Sequence, residues 1–195
     1  MIISIVILLT LFTFAFLDIG AYSSKNDSGS VISAYSSSNA TGPLSGDIIL
    51  YVSPEDALNA GLKEELVRAF ENIGYSVTLT NELKDDYDSQ FVFVNISDTK
   101  IMYTPVYSSS DIKVRSGFSS SGKTQYLDVE GLEEGRTVVF SSNGTDGYQL
   151  LVRGDITFRD ETKGLFTYRS YQHHLAGDIA RSVAQALDPY IKDGL

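Results

Sequence analysis

The chain contains no cysteine, which excludes disulfides, thiolate metal sites, cysteine nucleophiles and a lipid-modified cysteine anchor. Tryptophan is absent too, and histidine occurs only at His173 and His174. Basic side chains are scarce: 15 Lys and Arg stand against 25 Asp and Glu, for a net charge of −10 and a pI near 4.5. They are scattered singly without a basic patch, and a surface of that balance repels phosphate backbones, so no nucleic-acid partner is expected. The G-x-S-x-G elbow and the H-E-x-x-H motif are both missing.

What is present describes a globular domain with something added in front. Of 195 residues, 43% are apolar and 21% charged, an ordinary folded composition. Residues Ile2 to Leu17 carry no charge, and only Ser4, Thr10 and Thr13 are polar. As a helix that run would span ~24 Å against a ~30 Å hydrocarbon core. Residues 1–21 are therefore read as an N-terminal membrane anchor, with a signal peptide cleaved near Ala21 as the alternative. Ile19 and Ala21 suit the −3 and −1 positions of such a cleavage, but the first basic residue is Lys25, so the usual basic lead is missing. The expected location is the cell membrane with the C-terminal part outside the cytoplasm, or secretion if Ala21 is a cleavage point.

Residues 22–46 contain nine serines and show no hydrophobic periodicity, which predicts a flexible, disordered stalk. Residues 47–195 are read as one α+β domain. Ser53-Pro54-Glu55-Asp56 has the chemistry of a helix start, followed by a stripe of Leu58, Leu62, Leu66, Phe70 and Ile73 and a stop at Gly74. A second stripe, Tyr171, Leu175, Ile179, Val183 and Leu187, begins after Ser170 and should end at Asp188-Pro189. Strands are expected at 48–52, 75–80, 91–95, 100–107, 112–118, 124–129, 137–141, 148–158 and 165–168, separated by glycine-containing turns such as Lys163-Gly164. The expected fold is a mainly antiparallel sheet with two amphipathic helices on one face, preceded by an N-terminal hydrophobic helix and a disordered stalk.

One segment has the look of chemistry. Gly117-Phe118-Ser119-Ser120-Ser121-Gly122-Lys123-Thr124 satisfies the phosphate-loop pattern, in which backbone amides cradle phosphates, the lysine reaches the terminal ones and the hydroxyl holds magnesium. Such a loop must open a helix, whereas Leu127 and Val129 alternate with Asp128 and Glu130 as in a strand. The segment is read as a hairpin tip; Gly117, Gly122, Lys123 and Thr124 carry nucleotide binding as the alternative.

His174 falls nearly opposite the apolar stripe of its helix, beside Asp178, Arg181 and Gln185, and is read as part of a solvated polar face. His174 and Asp178 are four apart, but no third ligand is identifiable, so no metal is assigned. The acidic loop Asp85-Asp86-Tyr87-Asp88 lacks the glycine and closing glutamate of a calcium loop. Glycosylation sequons begin at Asn26, Asn39, Asn95 and Asn143. The cluster Tyr103-Thr104-Pro105-Val106-Tyr107 is read as packed strand, with an exposed aromatic contact surface as the alternative.

No catalytic constellation and no cofactor are assigned. The favoured function is a non-catalytic, membrane-tethered extracytoplasmic domain, held to the membrane through residues 2–17, that binds or assembles with a cell-envelope protein partner. The alternatives are a nucleotide-binding enzyme using residues 117–124 and a surface or filament subunit.

Overall fold

The computed structural model describes residues 20–36, 46–53, 58–125, 127 and 150–193, together with Ile5, Val6, Thr10 and Thr13. The elements in chain order are β1 (Gly20–Ser36), β2 (Asp47–Val52), α1 (Asn59–Asn72), β3 (Ser76–Thr80), β4 (Gln90–Thr104), β5 (Tyr107–Ser119), β6 (Leu150–Phe166) and α2 (Tyr168–Asp193). The six strands form one mixed sheet in the order β1-β6-β5-β4-β2-β3.

Strand β2 is parallel to both its neighbours, β3 and β4. Its connection to β3 runs through α1, and a crossover through a helix returns the chain in the same direction. The other three pairings are antiparallel. Strand β2 stops opposite Val94, whereas β4 continues to Thr104, about 33 Å further at ~3.3 Å per residue. The sheet is thus six strands wide at one end and a four-stranded ribbon, β1-β6-β5-β4, at the other.

Both helices lie on one face. Leu58, Leu62, Leu66 and Phe70 of the first stripe and Tyr171, Leu175, Ile179, Val183, Leu187 and Ile191 of the second are buried against Ile48, Leu50, Val92, Val94, Ile112, Val114, Val152 and Phe158. Each such side chain contributes about 1.5–3 kcal/mol of transfer free energy, which is what holds the layers together. The opposite face carries a smaller cluster, Phe91, Phe93, Leu127 and Leu151, with the Tyr87 ring stacked 4.8 Å from that of Phe91.

The expected fold is corrected in two respects. The sheet is mixed rather than mainly antiparallel, because the β2–α1–β3 crossover imposes parallel pairing. The disordered stalk predicted from Tyr22 onward is instead, as far as Ser36, the edge strand β1, paired one-to-one with β6 over all 17 of its residues. Its serines need no core of their own, since the ladder pairs the backbone groups that face β6. Of the expected N-terminal hydrophobic helix, Ile5, Val6, Thr10 and Thr13 are described and are each helical; the rest of residues 1–19 lies outside the described residues, as do 37–45. Among the described residues no helix is long and apolar enough to cross a membrane.

Smaller differences have local causes. Ser53 does not begin the first helix: its amide donates to the Val94 carbonyl at 3.1 Å and prolongs β2, and α1 starts at Asn59. The two expected strands 91–95 and 100–107 are one strand with an irregularity between Ile96 and Asp98, which then turns at Pro105-Val106 into β5. Proline has no amide to lose in that turn, and Thr104 and Tyr107 bond to each other across it. Strands expected at 148–158 and 165–168 merge into β6, and Lys163-Gly164 is not a turn. Gly164, at φ +138°, stays within the strand because the β1 backbone crosses so closely that a Cβ would collide with the Ala21 carbonyl.

Helix α2 runs through Pro189 to Asp193 rather than stopping. The proline forfeits one helical bond, but Leu187 and Ile191 are buried on either side of it and Lys192 pairs with Asp188 at 2.9 Å. Of the expected strand 124–129, Thr124, Gln125 and Leu127 are described and are not in a strand; the expected strand 137–141 lies outside the described residues.

Candidate functional site

The side-chain cluster with the most chemistry sits where β1, β6 and α2 meet. Strand register sets two rows on the helix-facing side: Ser24, Thr162 and Ser108 in one, Asn26, Asp160 and Ser110 in the next. These polar residues continue the inward parity of Ile156 and Phe158, so Asp160 points into the protein and is only 2% exposed. From α2, residues 174 and 178 are one turn apart and face the same rows.

His174 Nε2 lies 2.9 Å from Ser24 Oγ, 3.3 Å from Asp160 Oδ1 and 3.7 Å from Asp178 Oδ2. The Ser24 hydroxyl donates to Asp160 Oδ1, and the Thr162 hydroxyl donates to Oδ2 at 2.8 Å. Asn26 Nδ2 donates to Asp178 Oδ2, and Arg181 lies 3.0 Å from Asp178 Oδ1. The Tyr22 ring leans on the imidazole with centroids 5.3 Å apart. Burial works against ionisation of Asp160, but the hydrogen bonds from His174, Ser24 and Thr162 outweigh it and hold the carboxyl below its ordinary 3.8. The hydrogen bond to Asp160 raises the His174 imidazole above its ordinary 6.5 against the effect of burial, and the charges of Asp178 and Asp160 add to it. The group is a histidine clasped by two carboxylates, an arrangement that favours its protonated form.

A serine, a histidine and an aspartate in contact invite comparison with a nucleophilic triad. In a triad the serine and the carboxylate occupy opposite ring nitrogens, so that one nitrogen takes the serine proton while the other is held by the acid. Here Ser24, Asp160 and Asp178 all converge on Nε2, and the Ser24 proton is directed at Asp160. The hydroxyl proton is thus held by a carboxylate kept below its ordinary pKa rather than offered to an imidazole that a second group orients. Among the described residues no group of three or more His, Asp or Glu side chains is arranged to hold a metal ion. The arrangement is built to fasten: it ties edge strand β1 to helix α2 through two side chains, Ser24 and Asn26.

Beside the clasp, the Tyr171 hydroxyl and Ser110 Oγ are buried without a hydrogen-bond partner. Burial, with the Asp160 charge nearby, pushes the Tyr171 hydroxyl far above its ordinary 10.

The residues singled out by sequence lie elsewhere. Gly117 is in β5 opposite Phe93, and Gly122 is in the turn that follows. Three of the amides a phosphate would need are engaged: Ser120 N donates to Leu150 O, Gly122 N to Ser119 O and Thr124 N to Asp85 O. Thr124 Oγ1 donates to the Lys84 carbonyl at 2.6 Å, so the hydroxyl is turned away from any magnesium position. Gly122, at φ +78°, is required because a Cβ would strike the Tyr87 and Ser89 carbonyls. Lys123 is half-buried. The segment is a fastening for the 81–89 loop, which contains Asp85, Asp86 and Asp88.

Among the sequons, Asn26 is committed to Asp178 and Asn95 is half-buried in β4 opposite Arg115; Asn39 and Asn143 lie outside the described residues. His174 is not on a solvated face: its side chain is 14% exposed, because β1 covers it. Sequence reasoning missed the clasp because Ser24 and Asn26 were assigned to the stalk. The readable signal was Asp160, a carboxylate at the inward parity of Ile156 and Phe158, together with the i,i+4 pair of His174 and Asp178.

No protein-family model matches the chain, and no curated protein matches it. Among solved structures it is similar to a point variant of the PelC dodecamer from Paraburkholderia phytofirmans, at 9% identity and a TM-score of 0.38, over 83% of this chain and 98% of that one. It is also similar to the PelC dodecamer from the same organism, at 10% identity and a TM-score of 0.34, over 80% and 97% of the two chains. Likenesses this faint bear on neither the fold nor the function of the present chain.

Proposed function

We propose that the chain is a non-catalytic, membrane-tethered extracytoplasmic domain that binds a cell-envelope protein by accepting a strand along β1. The observation that carries this reading is the character of that edge. Natural sheets blunt their edges with charge, proline, bulges or brevity. Strand β1 is 17 residues long, pairs without a register shift, and from Ser28 to Ser36 contains neither a charge nor a proline. Val31 is 73% exposed on it. An uncharged extended segment of the partner suits such an edge, with backbone hydrogen bonds supplying affinity and small side chains leaving it accessible. The apolar run from Ile2 to Leu17 supports the tether.

The chain has no cysteine, so single-cysteine variants report on one site each. Val31→Cys and, as a control, Leu79→Cys would be crosslinked in intact cells carrying the full chain, with a C-terminal tag tested for protease access from outside. One partner captured at position 31, lost when Ser30 and Ser33 are changed to Glu, with the tag digested from outside, supports the reading. Equal capture at both positions, or a protected tag, overturns it. Capture of a second copy of the chain replaces it with the filament-subunit alternative.

A further inference from the structure

Resting on the tether reading above, we infer that the narrow end of the sheet lies against the lipid surface. Strand β1 begins at Gly20, only three residues after Leu17 closes the apolar run, so there is no stalk to hold the domain away from whatever that run enters. The same end gathers the β4–β5 turn, the last residues of β6 and the first of α2. Gly164 N donates to Val106 O and Phe166 N to Pro105 O, both at 3.1 Å, so these pieces form one surface with the start of β1.

That surface has the chemistry of a membrane interface. Val106 is 62% exposed, Leu165 48%, Tyr168 42% and Tyr22 37%. The two tyrosines are braced from behind, Tyr168 against Tyr103 at 5.1 Å and Tyr22 against Phe166 at 5.7 Å, so their outward faces are held in place. Amphipathic aromatic rings favour the headgroup level, with apolar tips reaching the acyl boundary. Charge agrees. In a chain of net charge −10, the charged side chains within 20–24, 103–108 and 162–172 are Lys163 and Arg169, both cations; Glu161 and Lys25 share the next row, and Asp18 precedes the strand. An acidic protein thus presents cations to anionic lipid over the last turn of this end.

The test uses the full chain with a single cysteine at Val106 or at Leu165, and at Leu79 for comparison, labelled with an environment-sensitive fluorophore and reconstituted into vesicles of zwitterionic and anionic phospholipid. Leu79 aligns with Leu50 and Val92, roughly 40 Å from the Thr104 turn at ~3.3 Å per residue. Flotation is measured first, then quenching by lipid-borne spin labels. The expected result is a chain that floats, with the labels at 106 and 165 quenched severalfold more than the label at 79. That excess should fall when Lys163 and Arg169 are both changed to Glu. A chain that floats with equal quenching at all three positions overturns the inference and leaves the tether standing. A chain that does not float overturns both.

Discussion

Removing the His174 imidazole from the β1–α2 clasp should cost more than its position near the surface implies. His174→Gln keeps a hydrogen-bond donor near Ser24 but leaves the Asp160 carboxylate, 2% exposed, with only the Ser24 and Thr162 hydroxyls. Deleting one partner of a buried ion pair costs about 3–5 kcal/mol. Two features reduce that figure: His174 is itself 14% exposed, and the orphaned carboxyl can take up a proton. The expected loss is therefore about 2–3 kcal/mol, a substantial part of a domain stability of about 5–15 kcal/mol. Asp160→Asn, which strands the imidazolium beside Asp178 alone, should cost a similar amount. The double variant should lose less than the sum, with a coupling of about 1–3 kcal/mol.

The pH dependence separates this from loss of packing. The folded pKa of His174 is raised, so its stabilisation is full below 6.5 and is lost as pH rises through the folded value above that. The folded pKa of Asp160 is lowered, so its stabilisation is present above 3.8 and is lost as pH falls through the folded value below that. Arg181, Asp178 and the Tyr22 ring also face the imidazole, but the His174 and Asp160 shifts set the window, which runs from about pH 4 to above 6.5. Urea unfolding of the full chain in mild detergent, followed by tyrosine fluorescence across that range, reads both limbs. His174→Gln should flatten the alkaline limb, and hydrogen exchange should show the β1 amides losing protection before those of β4. A loss below about 1 kcal/mol, a coupling near zero and an unchanged alkaline limb would refute the clasp.

Gly164→Ala should destabilise by about 2–4 kcal/mol, since the alanine meets both a positive φ and the Ala21 carbonyl, and the loss should appear first as exchange of the β1 amides near Gly20. Tyr171→Phe removes a buried hydroxyl that has no hydrogen-bond partner, so urea midpoints should stay unchanged or rise by the equivalent of about 1 kcal/mol. A clear drop would mean that the hydroxyl is satisfied in solution.

The legible parts of the molecule were those where one chain segment carries its own pattern. The stripes Leu58-Leu62-Leu66-Phe70 and Tyr171-Leu175-Ile179-Val183 record burial every turn, and both are buried as those spacings require. Strand β1 carries no such record. Its exposure on both faces from Gly20 to Ala34, apart from half-buried Ser24 and Ile32, leaves nothing for hydrophobic periodicity to detect, and its order comes from a ladder whose other half lies more than a hundred residues away in β6. That one illegible strand accounts for the other misreading at the site. With residues 22–36 taken as a loose stalk, the polar side of α2 has nothing over it, and His174 and Asp178 must face water. With the same residues placed on the edge of the sheet, Ser24 and Asn26 arrive over that side and enclose the histidine between two carboxylates. The lone inward carboxylate of Asp160, directly after Val152, Ile156 and Phe158 on the same parity, was the clue that something polar had to come and meet it, because a buried charge without a partner is not sustained.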